Sequence, residues 1–237
     1  MHDQVPLRMK RAWFVAGTDT GVGKTRIACG LMQALARSGR SVAGMKPVAS
    51  GCRVSEDGLR NADAEALRAC SSVPFDYADI NPYAFAPATA PHLAARAAGV
   101  NIDIGKISAH FQHLAAQVDD VVVEGVGGWR VPLGPHTSMV DVVRALQLPV
   151  ILVVGIRLGA MNHALLSLES MTRAGVEVRG WIANHIDPDP VLAEYPAALQ
   201  ALMTVPLLAE IPCIVPLAGT LDDANSPWST CLDVTHW

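Results

Sequence analysis

The sequence predicts an α/β fold, a doubly wound and mostly parallel sheet with helices on both faces. Three observations predict it. Short, wholly apolar runs alternate with longer segments of helical character along the chain. A glycine-rich turn, Ala16-Gly17-Thr18-Asp19-Thr20-Gly21-Val22-Gly23-Lys24-Thr25, joins the first apolar run to the first helix. Two later apolar runs end in a charged residue and then a chain breaker, at Lys46-Pro47 and Glu124-Gly125. The carboxyl ends of parallel strands are where such sheets bind ligands.

Composition narrows the class. Apolar residues make up 51% of the chain and charged residues 17%, the balance of a globular protein. At 237 residues the chain is long enough for one sizeable core, read here as a single domain over residues 1–237. A net charge of −4 gives no electrostatic reason for nucleic acid or an anionic membrane as partner. The longest apolar run, residues 148–156, has the length of a buried strand and falls short of a membrane span. Residues 1–11 are polar and mixed, an N-terminal extension without the apolar stretch of an export signal. The five cysteines are scattered and odd in number, which fits reduced thiols in a cytoplasmic enzyme better than disulfides or a metal cluster.

In order, residues 13–15 read as a strand and 26–36 as a helix, with the glycine turn between them forming a phosphate-binding loop. Backbone N–H groups around Gly21, Val22 and Gly23 face a phosphate, and the helix N-terminus adds positive potential. Lys24 supplies a point charge, and Thr25 puts a hydroxyl on magnesium. Thr18 stands where the strict pattern has its first glycine, and Gly17 precedes it. Residues 41–45 are a strand that delivers Lys46 to its carboxyl end, stopped by Pro47 and Gly51. Residues 53–60 read as a polar loop. The helix from 61 carries Asp63 in its first turn, a placement the helix dipole accounts for by itself. Residues 74–91 read as an ordered loop, 92–98 as a short helix and 104–117 as a longer one.

The apolar run 120–124 ends in Glu124, and Gly125-Val126-Gly127-Gly128 follow. That is the form of a Walker-B-like element, whose acid reaches magnesium or its water while glycines admit phosphates. Residues 139–146 are helical and 149–155 form a central strand. Gly159-Ala160-Met161-Asn162 opens a helix to 174 whose first N–H groups offer an anion site. Residues 178–184 form a strand with Asn184 and His185 at its carboxyl end. A helix over 193–203, a last strand over 206–212 and an irregular tail over 215–237 complete the chain.

Taken together these motifs resemble the dethiobiotin synthetase family of the P-loop NTPase fold. The resemblance rests on Gly17-Thr18-Asp19-Thr20 with Gly23-Lys24-Thr25, and on Lys46-Pro47-Val48-Ala49-Ser50-Gly51. It adds Gly58-Leu59-Arg60-Asn61 with Asp63, Asn81-Pro82-Tyr83, Glu124 to Trp129, and Gly180-Trp181-Ile182-Ala183-Asn184. It implies ATP, magnesium, carbon dioxide and 7,8-diaminononanoate as reactants, with dethiobiotin, ADP and phosphate as products. A carbamate forms first, then a carbamic–phosphoric anhydride, then the ring. By position, Thr25, Asp63 and Glu124 hold magnesium, and Lys24 and Lys46 act as cations on the phosphoryl group and carbamate. Thr20 and Ser50 contact the diamine or carbamate. Asn184 and His185, with the backbone at Pro212, Cys213 and Ile214, border the adenine. The family acts as a homodimer in which the substrate's far carboxylate meets the helix start at Ala160 to Asn162 and a partner tyrosine, here Tyr195. Without the family, Tyr195 reads as a half-buried interface or core residue.

Two departures stand out. Gly21 replaces a glutamate of some members, and the tail lacks an acidic nucleotide contact expected near Gly219, with Asp222 the nearest substitute. His92, His163 and His185 have no metal-ligand spacing. Two other classes share the loop. A partition-type ATPase switch is expected to carry lysine five positions before the loop lysine, where this chain has Asp19. A cobalamin-pathway amidoligase usually carries a glutaminase domain, for which the chain has no room.

Overall fold

The computed structural model describes residues 11–213 and 230–232. The strands are β1 (Arg11–Gly17), β2 (Val42–Met45), β3 (Val48–Ser50), β4 (Arg53–Ser55), β5 (Gly58–Arg60), β6 (Tyr83–Phe85), β7 (Asp120–Glu124), β8 (Val150–Ile156), β9 (Val178–His185) and β10 (Leu207–Ile211). The helices are α1 (Lys24–Arg37), α2 (Ala62–Ala69), α3 (Tyr77–Ile80), α4 (Pro91–Ala97), α5 (Ile104–Gln117), α6 (Met139–Leu146), α7 (Ala160–Arg173) and α8 (Tyr195–Leu202).

Six strands form one sheet in the order β2-β7-β1-β8-β9-β10, and every pairing in it is parallel. The apolar runs that read as strands are the buried centre: β7 and β8 are buried along their whole length. Parallel strands need both faces covered. Helices α1 and α2 pack on β2 and on each other, while α5 packs on β2 and β7 beside α6, and α7 covers β8 and β9. Ile27, Leu31 and Leu35 of α1 are fully buried, each stabilising the fold by about 1.5–3 kcal/mol. Among the described residues no helix is long and apolar enough to cross a membrane.

Strand β1 lies between β7 and β8, so the chain runs out to one side of it and later to the other. That is a switch point, and a crevice opens beyond the carboxyl ends of the flanking strands. Gly17, Met45, Glu124 and His185 end their strands along this edge.

Three details depart from the sequence reading. Residues 53–60 form an antiparallel hairpin of β4 and β5 rather than a loop, with Gly58 at φ +101° just past its turn. The stretch 74–91 contains α3 and β6, and β6 pairs in parallel with β3 as a separate two-stranded piece. The helix expected over 193–203 is divided: Pro190–Glu194 is a 3-10 turn, and α8 starts at Tyr195 with Pro196 in its first turn. Proline lacks the N–H an unbroken helix would use there.

Candidate functional site

The phosphate loop leaves β1 at Gly17 and enters α1 at Lys24. Gly23 caps α1 in the left-handed region, at φ +90°, and no side chain caps the helix, so its first N–H groups are left for a ligand. A Cβ at Gly23 would stand 2.2 Å from Asn184 Nδ2, which donates to Val22 O at 2.8 Å. The end of β9 thus braces the loop. At Gly17 a Cβ would meet Lys24 Cδ at 2.9 Å, because the lysine stem crosses the strand end. Lys24 Nζ donates to Asp19 O at 2.8 Å. Asp19 Oδ1 accepts from Thr20 N at 2.7 Å, and its Oδ2 accepts from Arg157, just past β8, at 2.6 Å.

Facing the loop is a charged cluster made by two strand ends and a helix start. Buried Lys46, after β2, donates from Nζ to Glu124 Oε1 at 2.6 Å, to Asp63 Oδ2 at 2.8 Å and to Gly125 O at 3.2 Å. Thr25 Oγ1 donates to the same Glu124 Oε1 at 2.9 Å. Glu124 Oε2 is buried with no hydrogen-bond partner.

The electrostatics follow from this packing. Burial works against the Lys46 ammonium, yet Glu124 and Asp63 outweigh it and its pKa is raised above the ordinary lysine value. Burial also opposes the Asp63 carboxylate, but Lys46 prevails and holds its pKa below the usual range. At Glu124 burial dominates and pushes the carboxyl up against the pull of Lys46. Lys24 has less help: burial, then repulsion from Lys46, brings its pKa down to about 8.

Loop and cluster border one cavity of about 1140 Å³. Of the residues singled out from sequence, Thr20, Gly21, Gly23, Lys24, Thr25, Lys46, Ser50, Asp63, Glu124, Val126, Gly127, Asn184, His185, Pro212 and Cys213 line it. Val22 and Gly125 contribute backbone carbonyls to its bracing. His185 Nε2 lies 2.8 Å from Glu210 Oε1. Ala160, Asn162 and Tyr195, at the starts of α7 and α8, are not in its wall. Ile214, Gly219 and Asp222 lie outside the described residues.

The comparisons with known proteins agree with one another. A family profile described as an AAA domain matches residues 11–220. The ATP-dependent dethiobiotin synthetase BioD of Pseudomonas aeruginosa (strain UCBPP-PA14) is 50% identical over 203 residues, covering 85% of this chain and 89% of its own. The protein of the same name from Yersinia pestis bv. Antiqua (strain Angola) is 43% identical over 230 residues, 97% of this chain and 93% of its own. This chain belongs to the ATP-dependent dethiobiotin synthetase family. It is accordingly an enzyme, an ATP-dependent ligase, with ATP as co-substrate.

Solved structures of greater sequence distance share the fold alone. The septum site-determining protein MinD, complexed with Mg-ADP, from Pyrococcus horikoshii OT3 superposes with a TM-score of 0.59 at 17% identity, over 94% of this chain and 93% of its own. A ParA family ATPase from Chlorobium tepidum TLS gives 0.58 at 16%, over 94% and 96%. At this site the sequence reading gave Asn61 no role beyond its place in a motif and did not name Arg157. Asn61 caps α2 by accepting from Asp63 N and Ala64 N, a role legible from an asparagine ahead of an Ala-Asp-Ala-Glu run. Arg157 clamps Asp19 from 138 residues away and has no local signal.

Proposed function

We propose that this chain carboxylates and cyclises 7,8-diaminononanoate with carbon dioxide, in an ATP- and magnesium-dependent reaction that yields dethiobiotin, ADP and phosphate. The observation that carries the reading is the Lys46 cluster with Asp63, Glu124 and Thr25, facing a phosphate loop across one cavity. A phosphate loop alone serves any nucleotide reaction; a second buried lysine in the wall of the same cavity suits a second anion.

In this reading one substrate amine attacks carbon dioxide, forming a C–N bond and losing a proton to become a carbamate. A carbamate oxygen attacks the γ-phosphorus as the bond to the ADP oxygen breaks. The second amine attacks the carboxyl carbon of the anhydride and gives up a proton, the C–O bond breaks with its electron pair leaving on phosphate, and the ring closes. Lys46, Ser50 and Thr20 hold the carbamate, and Lys24 stabilises charge on the moving phosphoryl group. Both lysines act as cations, so the protein's work is positioning and charge neutralisation. Asn184, His185, Pro212 and Cys213 border the base.

The donor set fits magnesium. Thr25, Asp63 and Glu124 offer a hydroxyl and two carboxylates, all oxygen donors, and the orphaned Glu124 Oε2 lacks a partner that a cation would supply. When bound, magnesium supplies positive charge that shields the polyphosphate. Homodimerisation accounts for Ala160, Asn162 and Tyr195, which sit outside the cavity wall, with the strongly exposed Leu158 two residues before Ala160. A second subunit covering that surface would bring them to the substrate's far carboxylate. A cytoplasmic, reducing setting fits a chain whose described cysteines form no disulfide.

The test is phosphate release from ATP by the purified protein, with and without the diamine and bicarbonate. Release should rise at least about tenfold with both present, as expected when substrate binding completes the site. Equal release without the diamine would defeat the carboxylase reading.

A further inference from the structure

Lys46 and Asp63 belong to segments with different jobs, a strand end and a helix start, and something must fix one against the other. A continuous hydrogen-bonded chain runs between their backbones. Asn81 Nδ2 donates to Lys46 O at 2.7 Å and to Tyr83 O at 3.2 Å. Asn81 Oδ1 accepts from Tyr77 OH at 3.0 Å. The same phenol oxygen accepts from Asn61 N at 2.7 Å, and Asn61 Oδ1 accepts from Asp63 N at 3.1 Å. Lys46 N donates to Ile80 O at 2.7 Å, so the Lys46 peptide is gripped on both sides by the end of α3.

We propose that Tyr77 and Asn81 are positioning residues, which hold Lys46 and Asp63 in register through this chain. The inference rests on the catalytic role assigned to Lys46 above. Neither Tyr77 nor Asn81 lines the cavity, and Asn81 is buried. The polarity of the chain is determined throughout. Both Asn81 N–H groups point at carbonyls, so its oxygen must take the phenol proton. The phenol has one proton, already given to Asn81, so its lone pair must take the Asn61 N–H. The Arg60 guanidinium lies 4.3 Å from the Tyr77 ring centroid and holds the ring in place. Phenylalanine at 77 would keep the ring and leave the Asn61 N–H and the Asn81 oxygen unpaired, so the chain would relax locally.

The experiment compares Tyr77→Phe, Asn81→Ser, the double variant and Lys46→Ala in steady-state turnover with the diamine, bicarbonate and ATP. Each single variant should lower kcat about tenfold while KM for ATP stays within about twofold, because a small misplacement of Lys46 acts on the chemical step. The double variant should fall no more than about twofold below the worse single, since both break one chain. Wild-type kcat in a variant with a lowered Tm would overturn the proposal, because a merely structural role predicts that result. Losses that multiply in the double variant would also overturn it. Should Tyr77→Phe fail to fold, Asn81→Ser decides alone by the same split of kcat from KM. Lys46→Ala separates the two levels. Wild-type turnover there removes Lys46 from the mechanism, whereas an inactive Lys46→Ala beside unchanged positioning variants sinks only the positioning role.

Discussion

Strand β7 carries a buried acid at each end, and the two are partnered in opposite ways. Asp120, at the amino end, has both oxygens engaged: Arg40 holds it through two guanidinium nitrogens, and Arg11 Nε reaches Oδ1 at 3.3 Å. Glu124, at the carboxyl end, has two donors crowded on Oε1 and none on Oε2. The first arrangement is closed and bidentate, the form in which arginine stabilises a buried carboxylate. The second leaves a buried lone pair unsatisfied beside a large cavity, a cost that folding alone does not explain. The contrast teaches that burial and charge do not mark a site; incomplete satisfaction beside space does.

The sharpest way to break this contrast is to neutralise each acid without changing its shape. Glu124→Gln should lower turnover by about 10²- to 10³-fold, while costing no more than about 1 kcal/mol of stability, since burial already disfavours the charged carboxylate and Lys46 keeps Asp63 as a partner. Asp120→Asn should do the reverse: a loss of about 1–3 kcal/mol by denaturant unfolding, because the buried carboxylate that half-buried Arg40 and Arg11 share loses its charge, with kcat within about twofold of wild type. If both substitutions act mainly on stability, the distinction between the two ends fails.

The two lysines sharpen it further by pH. Lys46 is held protonated by two carboxylates, whereas Lys24 has a pKa of about 8. Phosphate binding favours the Lys24 ammonium and raises its pKa, so above pH 8 binding must take up a proton. Affinity for ATP should be flat below about pH 8 and weaken above it by up to about tenfold per pH unit. Titration calorimetry across pH 7 to about 9.5 checks the sign, and affinity that improves with rising pH would contradict it. The smallest expected effect is at the loop brace. Asn184→Ala removes one hydrogen bond to Val22 O, worth about 1 kcal/mol, so KM for ATP should rise about fivefold with little change in kcat.

The same comparison explains what could be read from sequence. The phosphate loop, Lys46 and Glu124 were legible because each sits where an apolar strand stops at a chain breaker, and that pattern is local. The six-stranded sheet followed from the apolar runs for the same reason. The β4–β5 hairpin was not legible, since each strand has three residues with a single apolar one, Val54 or Leu59, too short a run for alternation to mark a strand. Pairing of β6 with β3 depends on residues more than 30 apart, and so does the Asn81 bond to Lys46. Arg157 and Asp19 are 138 apart. Partner choice for a buried charge is a property of tertiary packing, which residue spacing does not encode.

One measurement tests directly whether the Lys46–Glu124 cluster brings a carbamate to the γ-phosphorus. In the proposed route the oxygen that attacks phosphorus originates in carbon dioxide and leaves in inorganic phosphate. With ¹⁸O-labelled carbon dioxide, ATP and the diamine, early phosphate should carry one ¹⁸O atom, and Lys46→Ala should abolish that labelled product. Phosphate released at the full rate without the label would rule out a carbamate oxygen as the group that attacks phosphorus.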